Sequence, residues 1–442
     1  GLAIARILSI SGYNVKAFIL SALTKQAYDF NRNLELLREV DKSIVTEINS
    51  ENDFPFCKND DLIIDALFGS GLKKPLEGIS KSLVNYLNQS EAEIVAIDLP
   101  SGLFSDELPD VANPIVKASH TLTFQLPKFS FMFPSSAEFV GEWHLLDIGL
   151  NQNFIDRQSC QPRFSTAKEM KTLLKPRKKF SHKGDYGHAL LLSGSKGKVG
   201  ATVIAASACL RSGTGLLTIH APGCGEQILQ TTVPEAMLLN EANNSEIGQI
   251  FELDAYNAIG VGPGTGTSDA FTRILENILK GTRSPLVLDA DALNVISQDP
   301  ELKALLPEST ILTPHVKEFT RLTRKAENDA DRHELQKEFS KKYKVIVVLK
   351  GAHTCITCPD GSIYFNSTGN AGMAKGGFGD ALTGIITGLL AQKYDPKEAA
   401  ILGVYLHGLA GDIAKNQKTE YSMTAMDLVN ELGEAYRMIA QE

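Results

Sequence analysis

The sequence predicts an α/β protein of two αβα sandwich domains, and three observations predict it. The chain has 442 residues, more than one hydrophobic core usually serves. Short apolar runs of strand length alternate with amphipathic stretches of helix length. In the second part, each apolar run ends in Gly, Pro or polar side chains, the punctuation of strand-to-helix loops in parallel sheets. With 43% hydrophobic and 22% charged residues, the composition is that of an ordinary globular protein. A formal net charge of -8 with scattered basic residues leaves no footprint for nucleic acid. No apolar run approaches the ~20 residues of a membrane span and no secretory pattern opens the chain, so no membrane partner and a cytoplasmic location are expected.

The first element is a helix pattern (Leu2, Ala5, Ile7, Leu8) stopped by Gly12. A domain that opens on a helix suggests a missing N-terminal piece. Strand patterns follow at "NVKAFIL", "SIVTEI", "DLIIDAL", "AEIVAID", "SHTLTF" and "EWHLLDI", with helix patterns "AYDFNRNLELLREV" and "GISKSLVNYLNQS" among them. Near residues 150 to 165 the periodicity lapses and polar residues with a Pro take over. Domains are therefore expected at 1–155 and 165–442. The second domain offers strands at "HALLLSG", "LLTIHAP", "YNAIGVGPG", "PLVLDAD", "STILTPH" and "VIVVLKG". A "PDGS" turn then predicts a hairpin into "IYFNSTG", and three helix patterns close the chain. The six cysteines are dispersed and read as reduced thiols. Cys355 and Cys358, the one close pair, lie where a strand runs into a turn, with no second pair to complete a zinc site.

Four strand ends of the second domain carry chemistry-bearing residues. "GVGPGTGTSDAF" lets backbone amides approach an anion, though a tight turn needs the same glycines. "LTPHVKEF" puts His315 after a strand, as a ligand or as a helix cap. "LKGAHT" gives Lys350, Gly351 and Thr354, a phosphate cradle or a solvated strand end. In "GNAGMAKGGFGDALTGIITGLLAQ", five glycines precede a helix pattern running from about Ala381, which puts Asp380 at its N-cap or first turn. Such an Asp either caps the helix or removes a proton beside an anion hole. In the first domain, "FGSGLKKPL" is a glycine loop with two lysines suited to a phosphate tail, and "DLPSG" a strand-end Asp before a Pro turn. Taken alone, each is better explained as an ordinary βα turn.

Taken together and in order, "GVGPGTG", "LDADALN", "LTPHVKEF", "LKGAHT" and the long glycine string resemble the C-terminal domain of the bifunctional NAD(P)H-hydrate repair enzymes. That domain is ribokinase-like and acts as an ADP- or ATP-dependent dehydratase of hydrated NAD(P)H, here NAD(P)HX. "IIDALFGSGLKKPLEG" and "VAIDLPSGL" resemble the family's N-terminal NAD(P)HX epimerase domain, a Rossmann-like fold expected here to be incomplete. The resemblance implies that Lys350, Gly351, Ala352, His353, Thr354 and Gly379 contact the nucleotide, and that Ala189, Gly264, His315 and Asp380 contact the (6S) hydrate. In the first domain it implies a potassium ion on Asp65 and Ser101, with Gly69, Ser70, Gly71, Leu72, Lys73, Lys74, Pro75 and Asp98 on the nucleotide substrate. Mg2+ is expected with the nucleotide phosphates, as phosphoryl transfer generally requires, and a homo-oligomer is expected. Asp380 is expected as catalytic base, with the amides of Gly376 to Gly379 holding the transferring phosphoryl group. Asp98 is expected as a catalytic acid/base with Lys73 or Lys74.

Two departures stand out. Lys375 and Phe378 occupy positions where the family has small or hydroxylated residues, and the family's Asn-Asn-Gly-Gly-Asp-Gly loop would lie before Gly1, taking an Asn potassium ligand and the first strand with it. Two other readings remain at this point: a ribokinase-like kinase of a vitamin-precursor alcohol, and a first domain that binds nucleotides without catalysis.

Overall fold

The computed structural model describes residues 1–21, 27–109, 113–158, 160–239, 241, 243–248 and 252–441, and forms two compact units, Gly1–Gln158 and Ser159–Glu442. In the first unit the six expected strands form: β1 (Ala17–Leu20), β2 (Val45–Ile48), β3 (Leu62–Asp65), β4 (Glu93–Ile97), β5 (His120–Phe124) and β6 (Glu142–Leu146). They make two parallel sheets, β1-β2 and β3-β4-β5-β6. One apolar cluster nevertheless draws on both, with Leu20 and Ile48 beside Ile94 and with Leu83, Val84 and Leu87 of the helix Gly78–Leu87. Burial of that helix stripe is what fixes the helix on the sheet.

The second unit is built on a ten-stranded sheet. Its strands are β7 (Arg163–Phe164), β8 (His188–Leu192), β9 (Leu216–His220), β10 (Met237–Leu239), β11 (Ala258–Val261), β12 (Leu286–Leu288), β13 (Ile311–Leu312), β14 (Ile346–Leu349), β15 (Cys355–Thr357) and β16 (Ile363–Phe365). The order is β10-β9-β8-β11-β12-β13-β14-β15-β16-β7, parallel except where β15 runs against β14 and β16 in the expected hairpin. The unit takes in residues before 165, because Arg163–Phe164 pair with β16. Alternation by two sorts each strand's apolar residues between two cores. Ala189 and Leu191 face one cluster, while Leu190 and Leu192 face the other.

The helix Phe378–Ala391 runs through the first of these cores, with nearly every residue buried. It lies hard against the helix Val199–Arg211: a Cβ on Gly384 would stand 2.0 Å from the carbonyl oxygen of Ala205, and one on Gly388 would stand 2.0 Å from Ser212 Oγ. The glycines in the sequence "DALTGIITG" therefore serve helix packing. Cys355 and Cys358 are buried, their thiols pushed up by burial, that of Cys358 to about 11, which suits inert core cysteines. Among the described residues no helix is long and apolar enough to cross a membrane.

Candidate active sites

Parallel strands deliver their loops to one end of the sheet, and in the second unit those loops bring three carboxylates and a lysine together. The helix Phe378–Ala391 begins at Phe378, earlier than its apolar pattern suggests, so Asp380 is its third residue and lies in the first turn. The N-cap is Gly377, held at φ 93°, and no side chain caps the helix. Asp380 is thus not the cap. Burial and the neighbouring Asp289 raise its carboxyl to about 6, with Lys350 pulling the other way and Asp291 adding to the rise. Asp289, just after β12, is buried and held by two partners: Lys350 Nζ at 2.9 Å from one oxygen and the Thr383 hydroxyl at 2.8 Å from the other. Asp291 accepts from the amide of Gly266 at 2.8 Å and from Lys198 Nζ at 3.3 Å, which ties the β11 glycine loop to the β12 loop. The first amides of a helix have no partner within it, so the turn bearing Asp380 presents free N–H groups and positive potential beside this carboxylate cluster.

The loop before that helix is pinned at both ends. Asp412 accepts from the Gly369 amide at 2.9 Å and from the Asn370 side chain at 2.8 Å. Lys375 points away from the glycines and donates to the carbonyls of Glu420, Tyr421 and Met423 at 2.8, 2.9 and 3.0 Å. Phe378 is 3% exposed and belongs to the core. Neither bulky residue enters the loop's open face. His407 donates from Nε2 to the Phe378 carbonyl at 2.8 Å, and burial lowers its pKa to about 4, so a neutral imidazole fixes the turn.

In the first unit, the ends of β3 and β4 carry the site. Asp65 is buried, and its carboxylate accepts from the Ser101 amide at 2.7 Å, the Ser101 hydroxyl at 2.6 Å and the Leu67 amide at 3.3 Å. Burial raises its pKa despite these bonds, because no cation is among those partners. Asp98 sits in the left-handed region at φ 70°, which is costly for a side chain of its kind and typical of functional turns. Its carboxylate lies 2.9 Å from Lys128 Nζ, both groups only 14% exposed, and accepts from the Phe124 amide at 3.3 Å. A Cβ on Gly69 would stand 3.6 Å from the other oxygen of Asp98, so the glycine loop and the Asp98–Lys128 pair border one another.

Comparison with known proteins decides the family. A family profile described as NAD(P)H-hydrate dehydratase matches residues 189–434, and one described as YjeF-related protein N-terminus matches residues 1–130. The bifunctional NAD(P)H-hydrate repair enzyme of Moorella thermoacetica is 34% identical over all of this chain and 86% of its own length. The chain belongs to the bifunctional NAD(P)H-hydrate repair enzymes. That of Escherichia coli is 34% identical over 90% of this chain and 75% of its own length. Among solved structures, the ADP/ATP-dependent NAD(P)H-hydrate dehydratase of Bacillus subtilis, co-crystallised with ATP and Mg2+, is 33% identical. It aligns with 64% of this chain and all of its own, at a TM-score of 0.57. A ribokinase-like protein of Enterococcus faecalis aligns similarly, at 29% identity, over 63% of this chain and 97% of its own, with a TM-score of 0.56.

Set on this family frame, the sequence-expected residues divide. Lys350, Gly379 and Asp380 converge: a Cβ on Gly379 would stand 3.3 Å from Lys350 Nζ. Gly351, Ala352, His353 and Thr354 form the turn after β14, with Gly351 and Ala352 exposed and the His353 ring against Phe164. His315 caps the helix Val316–Leu322 through a bond from the Glu318 amide to Nδ1 at 3.1 Å, while half its side chain stays exposed. Ala189 is a correction. It is fully buried as the second residue of β8, packed in the core, and offers a ligand no surface. The alanine beside Gly264 is Ala201, whose Cβ would lie 3.3 Å from a Cβ placed on that glycine. Asp65 and Ser101 are hydrogen-bonded to one another. Gly69 and Asp98 are neighbours, whereas Ser70, Gly71, Lys73, Lys74 and Pro75 are exposed and Leu72 is half-buried. The lysine on Asp98 is Lys128, not Lys73 or Lys74. Reading the sequence also missed Asp289, Asp291, Thr383 and His407. "LDADALN" could have yielded the two aspartates, since two carboxylates at one strand end are unusual without a task.

Proposed function

We propose that this chain repairs hydrated NADH and NADPH, its second unit dehydrating the (6S) hydrate at the expense of ADP or ATP and its first unit interconverting the R and S hydrates. The observation that carries the reading is Asp380: a carboxyl raised to about 6, in a helix's first turn yet free of any capping bond, beside amides suited to phosphate. Hydroxide is a poor leaving group. Asp380 accepts the proton of the hydrate's hydroxyl as that oxygen attacks the terminal phosphorus of the nucleotide, whose bridging P–O bond breaks to release ADP from ATP or AMP from ADP. The amides of Gly376 to Gly379 stabilise the charge on the transferring group. The ring nitrogen's lone pair then expels phosphate, and loss of a proton from the adjacent carbon restores NAD(P)H. The turn from Lys350 to Thr354 is assigned to the nucleotide, Gly264 with Ala201 and His315 to the hydrate.

Asp289 and Asp291 are hard oxygen donors at this strand end, a donor set that suits Mg2+ shared with nucleotide phosphates. When bound, the ion neutralises phosphate charge. In the first unit, Asp98 and Lys128 are the acid/base pair, and the glycine loop with Lys73 and Lys74 receives the phosphate tail. Asp65 and Ser101 fit a potassium ion, because a buried carboxylate bonded only to neutral donors is short of positive charge. The chain acts as a homo-oligomer.

The rival reading, a ribokinase-like kinase, predicts a different product. Incubating NADHX with ADP or ATP and Mg2+ should give NADH absorbance and free phosphate in step, whereas accumulation of a stable phosphomonoester would overturn the dehydratase reading.

A further inference from the structure

A cluster of ligating side chains lies at the amino ends of the first unit's strands, away from Asp65 and Asp98 at the carboxyl ends. His120 opens β5, and Glu142 and His144 are the first and third residues of β6. The register pairs His120 with Glu142 and Leu122 with His144, and a period of two puts all three side chains on one face. Their ligand atoms lie within 4.8 Å of one another. His120 Nδ1 stands 3.3 Å from His144 Nε2 and 4.0 Å from Glu142 Oε2. Two imidazole nitrogens on one tetrahedral zinc, each at about 2.0–2.1 Å, are separated by about 3.3 Å. The two rings already hold that separation. The exposed Glu142 carboxylate, 4.0 Å from His120 Nδ1, has to move closer to reach a zinc bond of about 2.0–2.2 Å, which an exposed side chain is free to do.

A fourth residue points the same way. Glu93 opens β4, two residues before the Val95 that pairs with His120, and its carboxylate is 3.6 Å from His120 Nε2. A histidine that binds metal through one nitrogen commonly gives its other N–H to a carboxylate, which fixes the tautomer and raises ligand basicity. His120 is placed for such a contact, with Nδ1 toward the cluster and Nε2 3.6 Å from Glu93, just beyond hydrogen-bond distance.

We propose that His120, His144 and Glu142 form a site for zinc or a similar imidazole-preferring divalent cation, oriented by Glu93, with the fourth position open to water. Nitrogen donors distinguish it from the oxygen sites suited to magnesium and potassium. Its occupant ties the edge strand β6 to β5.

The test uses the full chain, stripped of metal with chelator. Titration with CoCl2, followed by visible absorption, and with ZnCl2, followed by calorimetry, should show one equivalent that Mg2+ does not displace. The double variant His120→Ala, His144→Ala should lose that equivalent, and Glu93→Gln should weaken it by about 10- to 100-fold. Cys160→Ser, which removes an exposed thiol, should leave it intact. Metal-free melting of each variant should stay close to the parent, since Glu93 and His144 are exposed and His120 is half-buried. Equal affinity and stoichiometry in the double variant, or no binding tighter than millimolar in the parent, would overturn the site.

Discussion

Replacing Asp380 by Asn tests it as a buried base, because removing a carboxylate that is costly to ionise should raise stability while turnover falls. Its carboxyl is raised from 3.8 to about 6 by burial and by Asp289, so the folded protein binds a proton there more tightly than the unfolded chain does. Stability therefore falls as pH rises from about 4 through 6, and stays lowered at neutral pH. A shift of about two units corresponds to about 3 kcal/mol, an upper value for a partly solvated group. Asp380→Asn should recover up to that amount at pH 7.5 and nothing at pH 3.5. At about 2–4 °C per kcal/mol, melting of the second unit should rise by several degrees at pH 7.5. Turnover should fall by about 10²-fold or more, the usual contribution of a general base. The parent rate should rise with pH to a plateau, with a midpoint near 6. Calorimetry at the two pH values and a phosphate-release assay measure both. A variant that gains no stability at pH 7.5 and keeps activity within a few-fold would refute the reasoning.

Further outcomes follow from the same contacts. Asp289→Asn removes a charge that raises Asp380 and frees Lys350, which lowers it, so the midpoint of the pH–rate profile should move to below 6; an unmoved midpoint would mean that Asp380 is not the titrating base. Lys128→Ala should reduce epimerisation by about 10²-fold with dehydration of the S hydrate unchanged, while the double variant Lys73→Ala, Lys74→Ala should raise KM and leave kcat within a few-fold. A reversed pattern would return the acid/base role to the glycine-loop lysines. Epimerisation should be activated by K+ more than by Li+, and Ser101→Ala should raise the K+ concentration for half activation; indifference to the cation would remove potassium from Asp65.

Strands of both units were legible because buried parallel strands write continuous apolar runs such as "HALLL" and "VIVVL", and loops between them are punctuated. The edge strands β7 and β10 are only two and three residues long, too short to stand out from the loops around them. Asp380 was legible from its glycine context, but its release from capping was not, since that depends on the helix starting at Phe378. Phe378 and Lys375 looked like intruders in the loop because a sequence does not say which way a side chain points; one enters the core and the other binds carbonyls of a distant helix end. Lys128 was missed for a related reason. It lies 30 positions beyond Asp98, and only the crossover from β4 to β5 brings them together. Ala189 was misplaced because an alanine carries no chemistry by which a strand residue and a loop residue can be told apart.

The most direct test of the whole account is a single incubation of the full chain with a racemic mixture of R and S NADHX, ATP or ADP, Mg2+ and K+. Both epimers should be converted to NADH, faster than they exchange spontaneously, with one phosphate released per NADH formed. Conversion that halts once the S hydrate is spent would contradict the first unit's assigned role, and phosphorylated hydrate without NADH would contradict the second's.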